Sequence, residues 1–366
     1  FLAFDDDAGV VRCEAGTTLA DVLEVVVPRG WFLPVTPGTK FVSLGGAVAC
    51  DVHGKNHHAA GTFGRHVTRL ELARSSGERL ELTPKDDLFR ATVGGLGLTG
   101  LITWVEFELQ KIESDRIDQA TTRFRSLDEF FALSEEANAR SPYVVAWVDT
   151  LRPEGRGLLM EGHHAPADAR AALPPVGTAH APKLPVPFDA PEWALSRLSV
   201  RAFNAVYYRR PVGQARIPYE PFFYPLDVMH DWNRGYGRRG LLQHQCVVPS
   251  GEAIREVLRR IARSGAGSFL AVLKLFGDVP SPGLLSFPRP GVTLALDFPR
   301  RDDTVRLLRS LDDVVREAGG AVYPAKDACM TPASFRAFFP QWQALLPFID
   351  PAFSSSFWRR VTADVD

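Results

Sequence analysis

ACDVHGKNHHAAGTFGRHV, residues 49–67, sets four histidines, three glycines and a lysine close together. Three chemistries use such groups: metal ligation by ring nitrogens, phosphate binding by glycine amides, and close passage of the chain along a flat cofactor. His53 and His57 stand four apart, as two ligands on one helix face do. However, Gly54 interrupts a helix there, and no carboxylate or third ligand follows as in His-Glu-x-x-His. Metal is the weaker reading. Gly54, Gly61 and Gly64 better suit a chain threaded past a flat, phosphate-bearing cofactor, with a loop of solvated histidines as the alternative.

Other segments carry similar signals. Pro37-Gly38-Thr39 and Ser43-Leu-Gly45-Gly46 read as a turn leading to a helix start, where free amides and the helix dipole receive a phosphate; glycines serving tight helix packing would look the same. Gly95-x-Gly97-x-x-Gly100 fits the dinucleotide fingerprint, but it runs into LITWVEFEL, which reads as a strand. The fingerprint must open a helix, so a Rossmann site is rejected in favour of a glycine-rich turn. No P-loop motif occurs. Lys274 interrupts the apolar run SFLAVLKLFG, where alternation groups it with Leu270, Val272 and Phe276. Gln243 and Gln245 share one face of their strand, and Thr293 opposes Leu294. These polar insertions read as the wall of a pocket, or else as snorkelling residues of edge strands. Lys326 beside Asp327 follows the last expected strand.

The elements that must position these residues are legible mainly in the second half. LLQHQCVVP (241–249) is a strand, GEAIREVLRRIARSG a helix stopped by Gly265, GSFLAVLKLFG (267–277) and VTLALDFP (292–299) strands, DDTVRLLRSLDDVVREAGG a helix, and AVYPAKD a final strand. That order is β-α-β-β-α-β, which puts the helices on one sheet face and leaves the other open. Earlier, VVRCEAG is a strand, and a helix follows with Leu19, Leu23 and Val26 in phase and Gly30 as its stop. A helix starts after Ser43, and Ser126 with Glu129 forms a capping box. Arg152 to Trp193, rich in Pro, Ala and Gly, reads as a long mobile insertion.

With 366 residues the chain exceeds one ordinary hydrophobic core, so two domains are expected. A net charge of −1 lacks the basic footprint of a nucleic-acid binder. The four scattered cysteines form no CxxC pair, and no apolar run is long enough to span a membrane. The chain opens without Met or a leader pattern, so it reads as beginning inside a protein.

TPGTKFVSLGGAVACDVHGKNHHAAGTFGRHV, ATVGGLGLTGLI, YPLDVMHDWNRGYG, FLAVLKLFG, LSFPRPG and YPAKD together resemble the FAD-dependent decaprenylphosphoryl-β-D-ribose 2′-oxidases, within the vanillyl-alcohol-oxidase (PCMH-type) flavoproteins. The resemblance implies an α+β chain: a two-lobed FAD-binding domain with an inserted substrate domain built on an antiparallel sheet with helices on one face. Residues 1–110 and 321–366 would form the flavin part, and 111–320 the substrate part. It assigns Pro37, Gly38, Thr39, Ser43, Gly45, Gly46, Cys50, His53, Gly54, Asn56, Gly61, Gly64, Ile102, Tyr323 and Lys326 to a non-covalent FAD site, with Lys326 and His53 closest to the chemistry. Tyr207, Phe223, Arg234, Gln243, Gln245, Lys274, Thr293 and Ala295 match substrate-pocket positions.

The reaction so implied is hydride transfer from C2′ of a lipid-linked pentose to flavin N5. A short-chain keto-reductase would act on the product, and the protein would be cytoplasmic or peripheral at the bacterial inner membrane. Within the family a cysteine is common where this chain has Ala295, an Asn where it has Thr293, a Trp where it has Tyr207 and a Tyr where it has Phe223. The family's first phosphate loop, Gly-Arg-Gly-x-Ser-Tyr-Gly, falls upstream of the position matching Phe1, so this stretch alone is expected to lack one wall of the pyrophosphate site. Rival readings are an oxidase of free alditols or aldonolactones and a flavin-free interaction protein that kept the fold.

Overall fold

The computed structural model describes residues 1–167 and 184–363. Two hydrophobic cores organise them, in an α+β arrangement. The first core lies under a five-stranded antiparallel sheet of β1 (Ala3–Asp5), β2 (Val10–Glu14), β3 (Val67–Ala73), β4 (Arg79–Leu82) and β5 (Leu101–Glu108), in the order β1-β2-β5-β3-β4. Helix α1 (Leu19–Val26) buries Leu19, Val22, Leu23 and Val26, the spacing of one helical face. Thr18 caps it reciprocally: its hydroxyl accepts the Asp21 N–H, and Asp21 accepts the Thr18 N–H. Gly30, at φ 79°, ends the following turn, as its position suggested. Helix α2 (Leu44–Ala49) starts from Ser43, whose Oγ accepts the Gly46 N–H. The Gly95–Gly100 segment turns the chain into β5 and opens no helix.

An eight-stranded antiparallel sheet carries the second core. Its strands are β6 (Arg116–Phe124), β7 (Tyr143–Val148), β8 (Gly157–His164), β9 (Gly213–Pro218), β10 (Leu241–Val248), β11 (Ala271–Phe276), β12 (Gly291–Pro299) and β13 (Ala321–Val322). They lie in the order β9-β6-β8-β7-β11-β12-β10-β13. Helices α3 (Leu127–Arg140), α4 (Arg197–Tyr208), α5 (Gly251–Ser264) and α6 (Thr304–Glu317) complete two units of like connectivity, β6-α3-β7-β8-α4-β9 and β10-α5-β11-β12-α6-β13. The second is the β-α-β-β-α-β order read from the sequence. The two units meet where β7 pairs with β11, through Trp147–Val272 and Ala146–Leu273.

Three expectations change. Gly157–His164, inside the segment read as an insertion, is the interior strand β8; residues 168–183 of that segment lie outside the described residues. AVYPAKD is extended only over Ala321–Val322, because Pro324 lacks an N–H for the ladder and begins a short 3₁₀ turn through Lys326. Ser126 caps α3, but Glu129 accepts the Arg125 N–H at 2.7 Å instead of that of Ser126, so the box is not closed.

Strand alternation decides what each face of the large sheet carries. Val144, Ala146, Val148, Leu273, Leu294 and Leu296 turn toward the core shared with Phe130 of α3, Ile254 and Leu258 of α5 and Leu311 of α6. Cross-strand partners Gln243–Asp297, Gln245–Ala295, Val272–Ala295 and Lys274–Thr293 share the opposite face. The loop after α2 docks onto that face: Lys274 Nζ donates to Gly54 O (2.9 Å), Val144 N–H to Lys55 O (3.0 Å) and Lys55 Nζ to Phe223 O (3.0 Å). Among the described residues, no helix is long and apolar enough to cross a membrane.

Two tests follow from this packing. Leu273, fully buried at the seam between the units, is expected to lose about 2–5 kcal/mol on substitution by Ala. Val206→Ala, on the exposed side of α4, should change stability by less than about 0.5 kcal/mol; chemical denaturation of both variants checks the contrast. Burial brings the Lys55 ammonium down to about 8. Between pH 8 and the unfolded value near 10.4, the unfolded chain keeps a proton that the folded one has released, so this group's contribution to stability rises with pH. Buried cysteines and tyrosines, raised by desolvation, tilt the other way. The readout is therefore the difference in thermal midpoint between wild type and Lys55→Met, which should shift in favour of wild type from pH 8 to 10; a difference independent of pH would refute it.

Candidate active site between the two cores

The open sheet face and the loop that docks on it enclose a polar cluster. Gln245 Nε2 lies 2.8 Å from His53 Nε2 and donates to Thr293 Oγ1 at 3.1 Å. His53 is 7% exposed, its ring set against Phe276, Phe287 and Tyr323 with centroids 4.9–5.7 Å away, and its Nδ1 is buried without a partner among the described residues. Burial, then the charges of Lys274, His57 and Lys326, hold the His53 pKa well below the usual value, so the ring is neutral at pH 7. Tyr323, at the turn after β13, donates its hydroxyl to Cys50 O at 2.8 Å.

Three lysines face one another here. The pKa of Lys274 is driven well down by burial and then by Lys55 and Lys326; that of Lys326 is lowered by burial and partly restored by Asp297. Asp297 binds Gln243 Nε2 through Oδ1 at 2.9 Å, while its Oδ2 is buried and unpartnered among the described residues. Burial raises its pKa, against the opposing charge of Lys326. Three lysines and one carboxylate gathered together are complementary to an electron-rich or anionic ligand. Aromatic rings, an unpartnered His53 Nδ1 and partly accessible lysines suit the edge and face of an isoalloxazine, so the residues present fit FAD.

The other expected positions divide into groups. Ala295 sits between Gln245 and Val272 on the same face. The Pro37–Thr39 turn stands at the surface, with Gly38 exposed and free space where a Cβ would lie. Its flanks are pinned by a buried Lys40–Glu220 ion pair (2.7 Å), by the Lys40 N–H on Asp227, and by Thr36 against the Tyr224 hydroxyl. Asn56 anchors the histidine loop by donating to Pro34 O, and Gly54 leaves no room for a Cβ, which would meet Thr36 O at 2.9 Å. Ile102 is buried in β5.

Several positions are not where a ligand-facing role would put them. The amides of Gly45 and Gly46 already donate to Ala15 O and Ser43 Oγ, and a Cβ on Gly45 would meet that of Ala15 at 3.1 Å; Gly45 therefore serves close packing. Gly61, at φ 73°, turns the chain, and the Gly64 N–H donates to the buried Asp51, so neither amide is open to a cofactor. The Phe223 ring, 1% exposed, is enclosed by Phe32, Tyr143 and Phe222. Arg234 is exposed, near the carbonyls of Val186 and Pro187. Tyr207 packs on Trp147 at 4.7 Å, and Trp147 pairs with Val272 on the same sheet face as the lysines. Sequence reasoning passed over Lys55 and Asp297. Alternation from Thr293 and Ala295 puts Asp297 on the pocket face.

Comparison with known proteins gives the family. Residues 1–83 match the family model of an FAD binding domain. The chain is 37% identical to decaprenylphosphoryl-beta-D-ribose oxidase of Mycolicibacterium smegmatis, over 98% of this chain and 82% of that protein. It is 35% identical to an uncharacterized protein in the mprA 5′ region of Streptomyces coelicolor, over 94% of this chain and 99% of that one. Similarity to an alditol oxidase of Streptomyces, 28% identical, covers 29% of this chain and 25% of that enzyme. Identity sustained through both cores, together with a flavin-compatible cluster at their junction, makes this chain an FAD-dependent oxidoreductase that belongs to the decaprenylphosphoryl-β-D-ribose oxidase family.

Proposed function

We propose that the protein oxidises the 2′-hydroxyl of a polyprenyl-phosphate pentose, of the decaprenylphosphoryl-ribose type, to the 2′-keto sugar. This is the first half of an epimerisation toward cell-wall arabinan precursors, completed by a short-chain keto-reductase. Residues 1–110 and 321–366 act as the flavin part, in the two-lobed arrangement of the family, and 111–320 as the substrate part, working at a membrane surface. The observation that carries this reading is the junction cluster of Lys55, Lys274 and Lys326 around Gln243, Gln245 and Asp297, which suits a sugar carrying a phosphate. Free alditols carry no such charge and leave the cations uncompensated.

FAD, when bound, supplies the acceptor for the hydride. The chain's own residues do the rest. Lys326 contributes positive charge where negative charge accumulates during transfer. His53, neutral and fixed by Gln245, orients polar groups without adding a charge. Lys274 pairs with the substrate phosphate. Asp297, with a free oxygen and a raised pKa, takes up the hydroxyl proton.

The FAD-loaded protein, mixed anaerobically with decaprenylphosphoryl pentose, should lose its visible flavin absorbance; a persistent spectrum that bleaches with a free alditol would overturn the substrate assigned. Lys326→Ala should lower the rate of flavin reduction more than flavin affinity, and equal loss of both in stopped-flow and binding assays would refute its role. Lys274→Ala should act mainly on substrate Kd, and an unchanged Kd would remove that assignment. Asp297→Asn, which keeps an acceptor for Gln243, should lower kcat by about 10²–10⁴ with little change in KM. A kcat within a few fold of wild type would exclude Asp297 as the proton acceptor.

A further inference from the structure

Helix α4 is amphipathic in the wrong direction for a helix that only packs on a sheet. Its inner side buries Val200 and Asn204, and Asn204 donates to Asp149 at 2.7 Å. Its outer side carries Leu198, Ala202 and Val206 in steps of four, one continuous stripe, with Leu198 78% and Val206 70% exposed. Phe203, 41% exposed, widens the stripe. Exposed Arg201 and Arg209 flank it, while Arg197 lies against Gly265 and Arg210 over the Tyr207 ring, and residues 193–219 contain no Asp or Glu. Arg123 lies beneath, against Tyr208, while Arg156, also against that ring, is neutralised by Asp149 at 2.8 Å.

We infer that α4 is an interfacial helix that docks the protein on an anionic lipid bilayer. The stripe is the exposed side of a helix, a shape that can sink into a soft surface. Arg201 and Arg209, exposed beside the stripe, can place their guanidiniums at the headgroups while the apolar side chains enter the acyl boundary. A second copy of this chain is disfavoured as the occupant, because two such faces would bring their arginines together. The same helix reaches the reaction face, since the Tyr207 ring packs at a tilt on Trp147, which pairs with Val272, two residues from Lys274. Docking through α4 would therefore set that face next to the lipid from which a polyprenyl-phosphate sugar is drawn.

This inference rests on the membrane contact proposed above, and its test needs no turnover. In flotation with phosphatidylcholine vesicles, with or without phosphatidylglycerol, the protein should bind the anionic vesicles preferentially and release as salt is raised. Leu198→Ser with Val206→Ser should lower partitioning at least about tenfold. Arg201→Gln and Arg209→Gln should each lower it about fivefold, and only on anionic vesicles. Unchanged thermal midpoints confirm that the variants fold. Equal binding to both vesicle types, or partitioning insensitive to these substitutions, overturns the inference. So does self-association in sedimentation that the same substitutions abolish, which would make the ridge a contact between copies. Flavin bleaching retained by a protein that fails to bind vesicles removes the helix assignment and leaves the reaction standing.

Discussion

An antiparallel strand sends alternate side chains to opposite faces, and in the eight-stranded sheet this constraint separates structure from chemistry. Burying Leu294, Leu296 and Leu273 under the helices forces Thr293, Ala295, Asp297 and Lys274 to the other side. A slip of one residue in β12 would exchange the two sets and bury a carboxylate in the helix layer. The register that gives the protein its core is thus the register that assembles its site. Neither could be changed alone.

The loop carrying His53, Gly54 and Lys55 completes the site by covering polar groups that the sheet cannot satisfy by itself. Gln245 and Lys274 find partners in His53 and the Gly54 carbonyl. The residual imbalance is electrostatic: Lys55 and Lys326 both repel Lys274, with the Asp297 carboxylate set against Lys326. An anionic ligand relieves that repulsion on arrival, so part of its unfavourable energy returns as affinity. Desolvation strengthens the effect, since charges interact more strongly away from water.

How much of this the sequence disclosed depends on element length. Helices α5 and α6 run fourteen residues each with clear periodicity and glycine stops, so they and the strands between them were legible. Strand β8 was not: GLLMEGHH begins beside Gly155 and precedes a Pro- and Ala-rich stretch, so local composition hid an interior strand. The glycines misled in a different way. Gly45, Gly61 and Gly64 have the type that phosphate binding needs, but their amides are occupied within the chain, and only the three-dimensional packing distinguishes a close approach to a ligand from a close approach to Ala15 or Asp51. Lys55 and Asp297 stayed unassigned because isolated charges in a sequence are usually solvated. They join one site only because the loop after α2 docks on strands more than two hundred positions later in the chain.

The departure from likeness between the two units of the sheet is where they part in purpose. Both run β-α-β-β-α-β, and α3, α5 and α6 cover one face. The remaining helix, α4, instead contacts the opposite face through Tyr207 on Trp147, and Arg123 of β6 holds its C-terminal end by donating to Tyr208 O and Arg210 O. A helix on the helical face would have turned its apolar residues inward, as α6 does with Leu308 and Leu311. In α4, by contrast, Leu198 and Val206 point outward. The same displacement roofs one end of the sheet beside the site and leaves an apolar ridge on the surface, so the cover and the exposed ridge have a single structural origin.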